Sequence, residues 1–500
     1  MKRSKFSLSH YRLTTCDMGQ LVPIGITETL PGDTIQHATT ALVRCSPLAT
    51  PVMHPVTVRT HHWFVPHRLV WDDWEEFITG GADGNNNSTF PTITVNPAEK
   101  TLADYLGCPV GTSAAYSALP FRSYALIWNE WYRDQDLQTA LTIDTTDGAD
   151  STTNTSLQNV CWEKDYFTSA RPWEQKGTAV TVPLGSTAPV TGLGIRDDNA
   201  AAVPGAGKDY IDAAGNTFGN AGSDPTWLPG TDIINVLAAT TGVPNTTTNK
   251  PQVFADLSSA TGQSINLLRE AFALQRFQEA RARYGSRYTE YLRYLGVRPS
   301  DARLQRPEYL GGGRDTIQFS EVLSSNGASG GNLAALGGHG IAGHRSNRYR
   351  RFFEEHGYII SCMSIQPKTI YTDGAPKHLI RSTKEDFWQK ELQHIGQEEI
   401  LNRQVYAAHA TPTGTFGYQD RYDEYRRNES TVHGEFNSTL NTWHFARAFG
   451  ADPSLNASFV SCVPPEDAFV SSTNNTMWIE VKHSMQARRL VAKAGTSYIL

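Results

Sequence analysis

The segment Arg298-Pro-Ser-Asp-Ala-Arg-Leu-Gln-Arg-Pro-Glu-Tyr-Leu-Gly-Gly-Gly313 decides how this chain is read. Pro299 and Pro307 each fix φ, Gly311, Gly312 and Gly313 close the segment, Arg298, Arg303 and Arg306 punctuate it, and Arg314 follows. None of its titratable groups is paired with a nucleophile, so it reads as a structural clamp. Just upstream, residues 267–284 are good helix formers behind a Ser264 or Asn266 cap, with Gly285 at the stop. Tyr288, Tyr291, Leu292 and Leu295 then mark one face of a short helix ending at Gly296.

Ten arginines fall between Arg269 and Arg314, interleaved with Tyr284, Tyr288, Tyr291 and Tyr294. Guanidinium groups meet phosphates and aromatic faces accept bases, which suits single-stranded nucleic acid. Arg and Tyr are equally the residues of protein interfaces. Five acidic residues share the stretch and favour the interface reading. The candidate contacts are Arg281, Arg283, Tyr284, Arg287, Tyr291, Arg303, Arg306 and Tyr309.

Strand-like pieces lie on both sides of these helices. Val56-Thr-Val-Arg-Thr-His-His-Trp-Phe-Val65, between Pro55 and Pro66, is rich in β-branched and aromatic residues. Residues 39–45, 178–182, 358–365 and 477–482 are further strands, the last alternating cleanly, and residues 124–135 are a further helix. Strands so widely and unevenly spaced suit an all-β sandwich, not a βαβ unit. Residues 1–20 look like an arm, with Lys2, Arg3, Lys5 and Arg12 around Phe6 and Tyr11. Two low-complexity stretches interrupt the pattern, 144–156 and the long Ala/Gly/Thr/Asn/Pro-rich 187–250.

Charged residues make up 19% of the chain, beside 41 glycines and 26 prolines, and the net charge is −6. Any nucleic-acid contact must therefore come from a local basic patch. Six scattered cysteines without C-x-x-C spacing point to a reducing compartment, with neither zinc nor a disulfide framework. The basic start lacks an apolar core, so it reads as no signal peptide, and no apolar run reaches membrane-spanning length.

Catalytic motifs fare poorly. His61 and His62 are strand neighbours that point to opposite faces, so His54, His61, His62 and His67 read as structural and not as metal ligands. Gly327-Ala-Ser-Gly-Gly331 matches G-x-S-x-G in form, but glycine-rich sequence continues to Gly343 and reads as a loop. Glu354-Glu355 and Glu398-Glu399 are adjacent and do not face each other. No catalytic residue, metal ligand or cofactor site emerges. A carbohydrate-active enzyme and a host single-stranded-DNA-binding module are the rival readings.

The opening clamp resembles a signature of the major capsid proteins of microviruses, closest to the gokushovirus branch. The resemblance continues in order through Arg3-Ser-Lys-Phe6 with Ser9-His10, Leu21-Val-Pro-Ile24, Glu28-Thr-Leu-Pro-Gly-Asp33 and Phe64-Val-Pro-His-Arg-Leu-Val-Trp71. It extends through Leu119-Pro-Phe-Arg-Ser-Tyr-Ala-Leu-Ile-Trp-Asn-Glu-Trp131, Arg133-Asp-Gln-Asp-Leu-Gln138, Asp165-Tyr-Phe-Thr-Ser169, Glu354-Glu-His-Gly-Tyr-Ile-Ile360 and Trp443-His-Phe-Ala-Arg447. It implies an eight-stranded antiparallel jelly-roll with long loop and helical insertions, over residues 21–500. It also implies self-assembly into a small T=1 icosahedral shell around circular single-stranded DNA. Residues 187–250 would form a protrusion at the three-fold axes that meets a host receptor, and 264–313 a helical Arg/Tyr-rich insertion. Minor virion proteins that bind or pilot DNA and an internal scaffolding protein are the other implied partners, with synthesis in the bacterial cytoplasm. A few basic residues inside the shell suffice for packaging, because phosphate contacts are independent of sequence. The candidates are Lys2, Arg3, Lys5, Arg12, Arg488, Arg489 and Lys493.

Overall fold

The structure, a computed structural model, describes residues 3–82, 85–178, 180, 265–284, 287–323 and 336–493, and five short strands between 181 and 264. It divides into two compact units, Met1–Lys176 with Gln278–Leu500, and Gly177–Phe277. In the second unit Gly194–Arg196 pairs with Asp209–Ile211, which pairs with Thr217–Phe218, and Val190–Thr191 pairs with Phe254–Ala255. Most of residues 187–250, and part of the expected strand at 178–182, lie outside the described residues.

The first unit is built on one ten-stranded antiparallel sheet. Its strands are β1 (Ser4–Ser7), β2 (His10–Cys16), β3 (Val22–Thr29), β4 (Thr34–Cys45), β5 (Val56–Pro66), β6 (Glu308–Leu323), β7 (Leu336–Arg345), β8 (Tyr349–Phe352), β9 (Gly357–Pro367) and β10 (Met477–Arg489). They run in the order β1-β10-β4-β7-β6-β5-β9-β3, with β2 also on β10 and β8 also on β4. The sheet curls into a half-barrel because β6 serves two neighbours. Glu308–Ile317 pairs with β5, and Gln318–Leu323 with β7. The fold is therefore all-β with few helices.

The two halves of the sheet differ in what covers them. On the inner side Val43, Val56, Val58, Ile317, Ile365, Met477, Ile479 and Val481 pack into one core. Helix α1 (Leu119–Trp131) lies on the other side of β5, β9 and β3, burying Phe121, Tyr124, Ile127 and Trp128 with Leu21, Trp63, Val65, Ile360 and Cys362. Strand β9 is thus buried on both faces and reads as a nearly unbroken apolar run, whereas β10 alternates buried and exposed along its whole length. Tyr124 donates its hydroxyl to Leu21 O at 2.8 Å, which fixes the helix against the start of β3.

The polar segment 144–156 is a scaffold, not a slack loop. Asp144, Asp150 and Asn154 accept backbone N–H bonds two or three residues on, the local turns these side chains favour. The segment also delivers Asp150 to Arg122 of α1 at 2.9 Å, with both side chains fully buried. Arg122 donates as well to Val70 O at 3.1 Å and Thr146 O at 3.0 Å.

Several sequence expectations change here. Residues 4–16, within the expected arm 1–20, are two strands on β10. Gly311–Gly313 do not end an element but lie inside β6, so the helical insertion stops before Glu308. Residues 336–345 are strand β7 rather than a continued glycine-rich loop, and residues 324–335, with the G-x-S-x-G match, lie outside the described residues. Close strand approach explains the glycines. A Cβ on Gly312 would sit 2.2 Å from Thr60 O, one on Gly313 2.6 Å from Arg345 O, and one on Gly340 2.6 Å from Cys45 Sγ. Gly312→Ala is therefore expected to destabilise by about 1–3 kcal/mol, because a backbone carbonyl has to move. Gly343→Ala, whose added carbon meets nothing within 4 Å, is the control, and thermal unfolding of the two variants is the measurement.

Candidate nucleic-acid and assembly surfaces

The half of the sheet made by β1, β2, β10, β4, β7 and β8 keeps its outer face open. Along β10 the outward side chains are Trp478, Glu480, Lys482, Ser484, Gln486 and Arg488. Directly paired residues of antiparallel strands share a face, so register assembles the surface row by row. Lys5, Arg488, Thr34 and Phe352 form one row, and Ser7, Gln486, Gln36 and Arg350 the next. Further along stand Tyr11, Lys482, Thr40 and Arg345, then Leu13, Glu480, Leu42 and Gly343, then Thr15, Trp478, Arg44 and Ile341.

With Arg3, these rows gather cations from five strands and their flanks and carry a single carboxylate, Glu480. Aromatic rings punctuate them. The Arg3 guanidinium lies 5.6 Å from the Phe352 ring centroid, and the Lys482 ammonium 5.3 Å from that of Tyr11. Arg3 also donates to Thr34 Oγ1 at 2.9 Å. Among the described residues, Lys5, Arg44, Arg345, Arg350 and Arg488 have no ion-pair partner, so their charge faces outward. A flat sheet face bearing cations between exposed rings is the arrangement that holds a single strand by phosphates and stacked bases.

Of the residues singled out from sequence, the structure brings Arg3, Lys5 and Arg488 onto this face. Arg489 turns away to buried Asp33, 3.0 Å off, and donates to Glu28 O at 2.6 Å. Arg12 donates to Tyr105 O, and burial lowers its pKa, partly offset by Asp104. Both are structural. Lys493 is exposed beyond β10, and Lys2 lies outside the described residues. Lys482, Arg44, Arg345 and Arg350 were missed. The clean alternation of 477–482 already put Lys482 and Trp478 on one side, but only strand pairing brings the other three beside them.

The Arg/Tyr-rich stretch sorts in the same way. Helix α2 (Ile265–Tyr284) and helix α3 (Tyr288–Tyr294) form as expected. Arg306 is 5% exposed, pairs with Asp301 at 2.8 Å, and lies 4.0 Å over Trp131. Arg287 donates to Asn129 O and Arg133 O at 2.7 and 3.1 Å. Both side chains bond within this fold. Arg283 pairs with Asp420 at 2.8 Å but stays exposed, as does Arg281. Tyr284 stacks near Tyr294 at 4.6 Å, and Tyr284, Tyr291, Arg303 and Tyr309 remain exposed. Leu379, Phe387, Trp388 and Tyr425 are exposed as well, with Arg381 4.4 Å over the Tyr425 ring.

Behind the basic face lies a buried histidine layer. His37 Nε2 and His483 Nδ1 are 3.0 Å apart, and His37 and His62 have ring centroids 4.6 Å apart. Thr39, Ser346, Ser361, Tyr349 and the Ile24 carbonyl supply the remaining hydrogen bonds. His61 points to the opposite face and bonds the Tyr132 hydroxyl at 2.7 Å. Burial holds His37 down to about 3 and His483 to about 4, and pushes His62 well below its ordinary value. Among the described residues, no group of three or more His, Cys, Asp or Glu is placed to hold a metal ion. Glu355 of the adjacent pair Glu354-Glu355 is taken by Arg68 at 2.6 Å, and Glu398 of the other pair by Lys377.

Buried polar groups spent on the fold, with free charge spread over an open sheet face, define a structural protein built to pack and bind. Comparison with known proteins gives the particular kind. The chain belongs to the capsid protein (F protein) family, whose model it matches over residues 1–498. It is 37% identical to capsid protein VP1 of Bdellovibrio phage phiMH2K, over 93% of this chain and 88% of that one. The corresponding protein of Chlamydia phage 1 is 33% identical, over 93% and 90%, and that of Spiroplasma virus 4 is 32% identical, over 92% and 87%. Membership makes the role structural and not enzymatic: a bacteriophage capsid protein of microvirus type, which assembles with copies of itself into the virion.

Proposed function

We propose that this chain is the major capsid protein of a small icosahedral T=1 shell enclosing a circular single-stranded DNA genome, and that the open basic face of β1, β2, β10, β4, β7 and β8 meets that DNA. The eight strands on the main path of the sheet, β1-β10-β4-β7-β6-β5-β9-β3, make the wall of an eight-stranded jelly-roll. The exposed members of the Arg/Tyr-rich stretch, Arg281, Arg283, Tyr284, Tyr291, Arg303 and Tyr309, serve lateral contacts, and residues 187–250 form a three-fold protrusion that meets the host receptor. Assembly in the bacterial cytoplasm draws on a scaffolding protein and minor virion proteins.

The observation that carries the DNA assignment is the face itself. A chain of net charge −6 concentrates unpaired arginines and lysines on one surface, with exposed aromatic rings between them. Lys5→Glu, Arg350→Glu and Arg488→Glu together are expected to leave shells intact and to lower their nuclease-protected DNA. Losing three phosphate contacts should also flatten the salt dependence of single-strand binding, lowering the slope of log K against log salt by about 2. Shells of the triple variant carrying wild-type amounts of DNA would overturn the assignment.

A further inference from the structure

At one end of the basic face the sheet dips beneath the loop leading into Leu102–Leu106, leaving an open recess of about 630 Å³. Leu13, Arg44, Trp478 and Glu480 of the sheet line it, together with Glu99 and Lys100 from the loop and Asp104 from Leu102–Leu106. The Trp478 side chain is 45% exposed and Leu13 80% exposed, so the recess presents apolar surface beside its charged groups. Among the described residues the Trp478 ring has no stacking partner and its N–H no acceptor. Arg44 and Glu480 likewise make neither an ion pair nor a hydrogen bond there. Lys100 donates to Thr473 O at 2.8 Å and so is held at the rim. Asp104 is occupied by the Lys100 backbone N–H at 3.2 Å.

We propose that this recess takes a single unstacked base of the DNA strand lying on the face. The base stacks on Trp478 and slides under Leu13, while Arg44 and Lys100 meet its flanking phosphates. Glu480 is an acceptor only, so it matches the exocyclic amino group of cytosine or adenine and opposes the carbonyl that thymine presents at the same edge. The recess therefore gives an otherwise sequence-blind surface a local preference for amino-bearing bases. The proposal rests on the DNA-facing reading of the sheet.

The test is fluorescence titration of the purified full-length protein with labelled oligo-dC, oligo-dA and oligo-dT decamers. Wild type should bind oligo-dC and oligo-dA more tightly than oligo-dT. Trp478→Ala should weaken binding to all three by roughly 5- to 100-fold, the range for loss of one base stack, and Trp478→Phe should restore most of it. The isosteric Glu480→Gln should erase the preference, weakening oligo-dC and oligo-dA toward the affinity of oligo-dT. The triple variant of Lys5, Arg350 and Arg488 should weaken all decamers alike and keep the preference. If Trp478→Ala and Glu480→Gln match wild type while the triple variant loses binding, the pocket is wrong and the DNA-facing surface stands. If wild type binds no decamer, or the triple variant binds like wild type, both fall.

Discussion

Asp150→Ala is expected to cost about 3–5 kcal/mol of folding stability, the range for breaking a buried ion pair by removing one partner. Arg122 would keep its bonds to Val70 O and Thr146 O, but its charge would be left with only Asp144, 3.9 Å away. A loss of that size is a large share of what a domain has to spare, so the variant should fail to yield soluble shells at growth temperature. Asp150→Asn keeps Oδ1 as the acceptor for the Thr152 and Thr153 backbone N–H groups and should lose less. Urea unfolding of the two variants and wild type is the measurement. Equal midpoints would mean that the 144–156 scaffold contributes nothing to holding α1 on the sheet.

Acidification is expected to unfold the half-barrel from its centre. His37, His62 and His483 face one another across β4, β5 and β10, with His10, His61, His344 and Arg12 the nearest groups that carry or gain positive charge. Each of the three has a folded pKa below the ordinary histidine value, so the unfolded chain binds the proton more readily. Their contribution is fully present above about pH 6.5 and is lost as pH falls toward about 4 for His483 and about 3 for His37. Within that window each such histidine removes about 1.4 kcal/mol per pH unit. Thermal midpoints measured from pH 7 to pH 4 should therefore fall steeply in wild type. His483→Gln should fall less steeply, since one proton-binding group is gone. A midpoint independent of pH over that range would refute the account.

The sequence exposes some of this and hides the rest for definite reasons. β9 was legible because a strand buried on both faces is largely apolar, and β5 because β-branched and aromatic residues fill it between two prolines. The 477–482 alternation was legible because one side meets the core and the other water. β2 was not, because its pattern is inverted: Tyr11 and Leu13 face outward while Arg12 turns inward to Tyr105. The glycines at 311–313 and 337–343 read as punctuation, since nothing local distinguishes a glycine that breaks a strand from one that lets two strands close in.

Arg489 and Arg488 make the same point at a site. Adjacent on one strand, they point to opposite sides, and the partner waiting on each side decides their roles. Asp33 claims the first, while Lys5 and Thr34 place the second in an open cationic row.

By itself the sequence determined the class of fold, the helices after residue 264, the absence of any identifiable catalytic constellation and, through motifs matched in order along the chain, the family. Those follow from local periodicity and from residues whose type alone carries the signal. The tertiary structure alone decided which cations share a surface, which arginines are spent inside, and that three histidines meet in the core. Such groupings are set by strand register between residues hundreds of positions apart, and no local pattern encodes register.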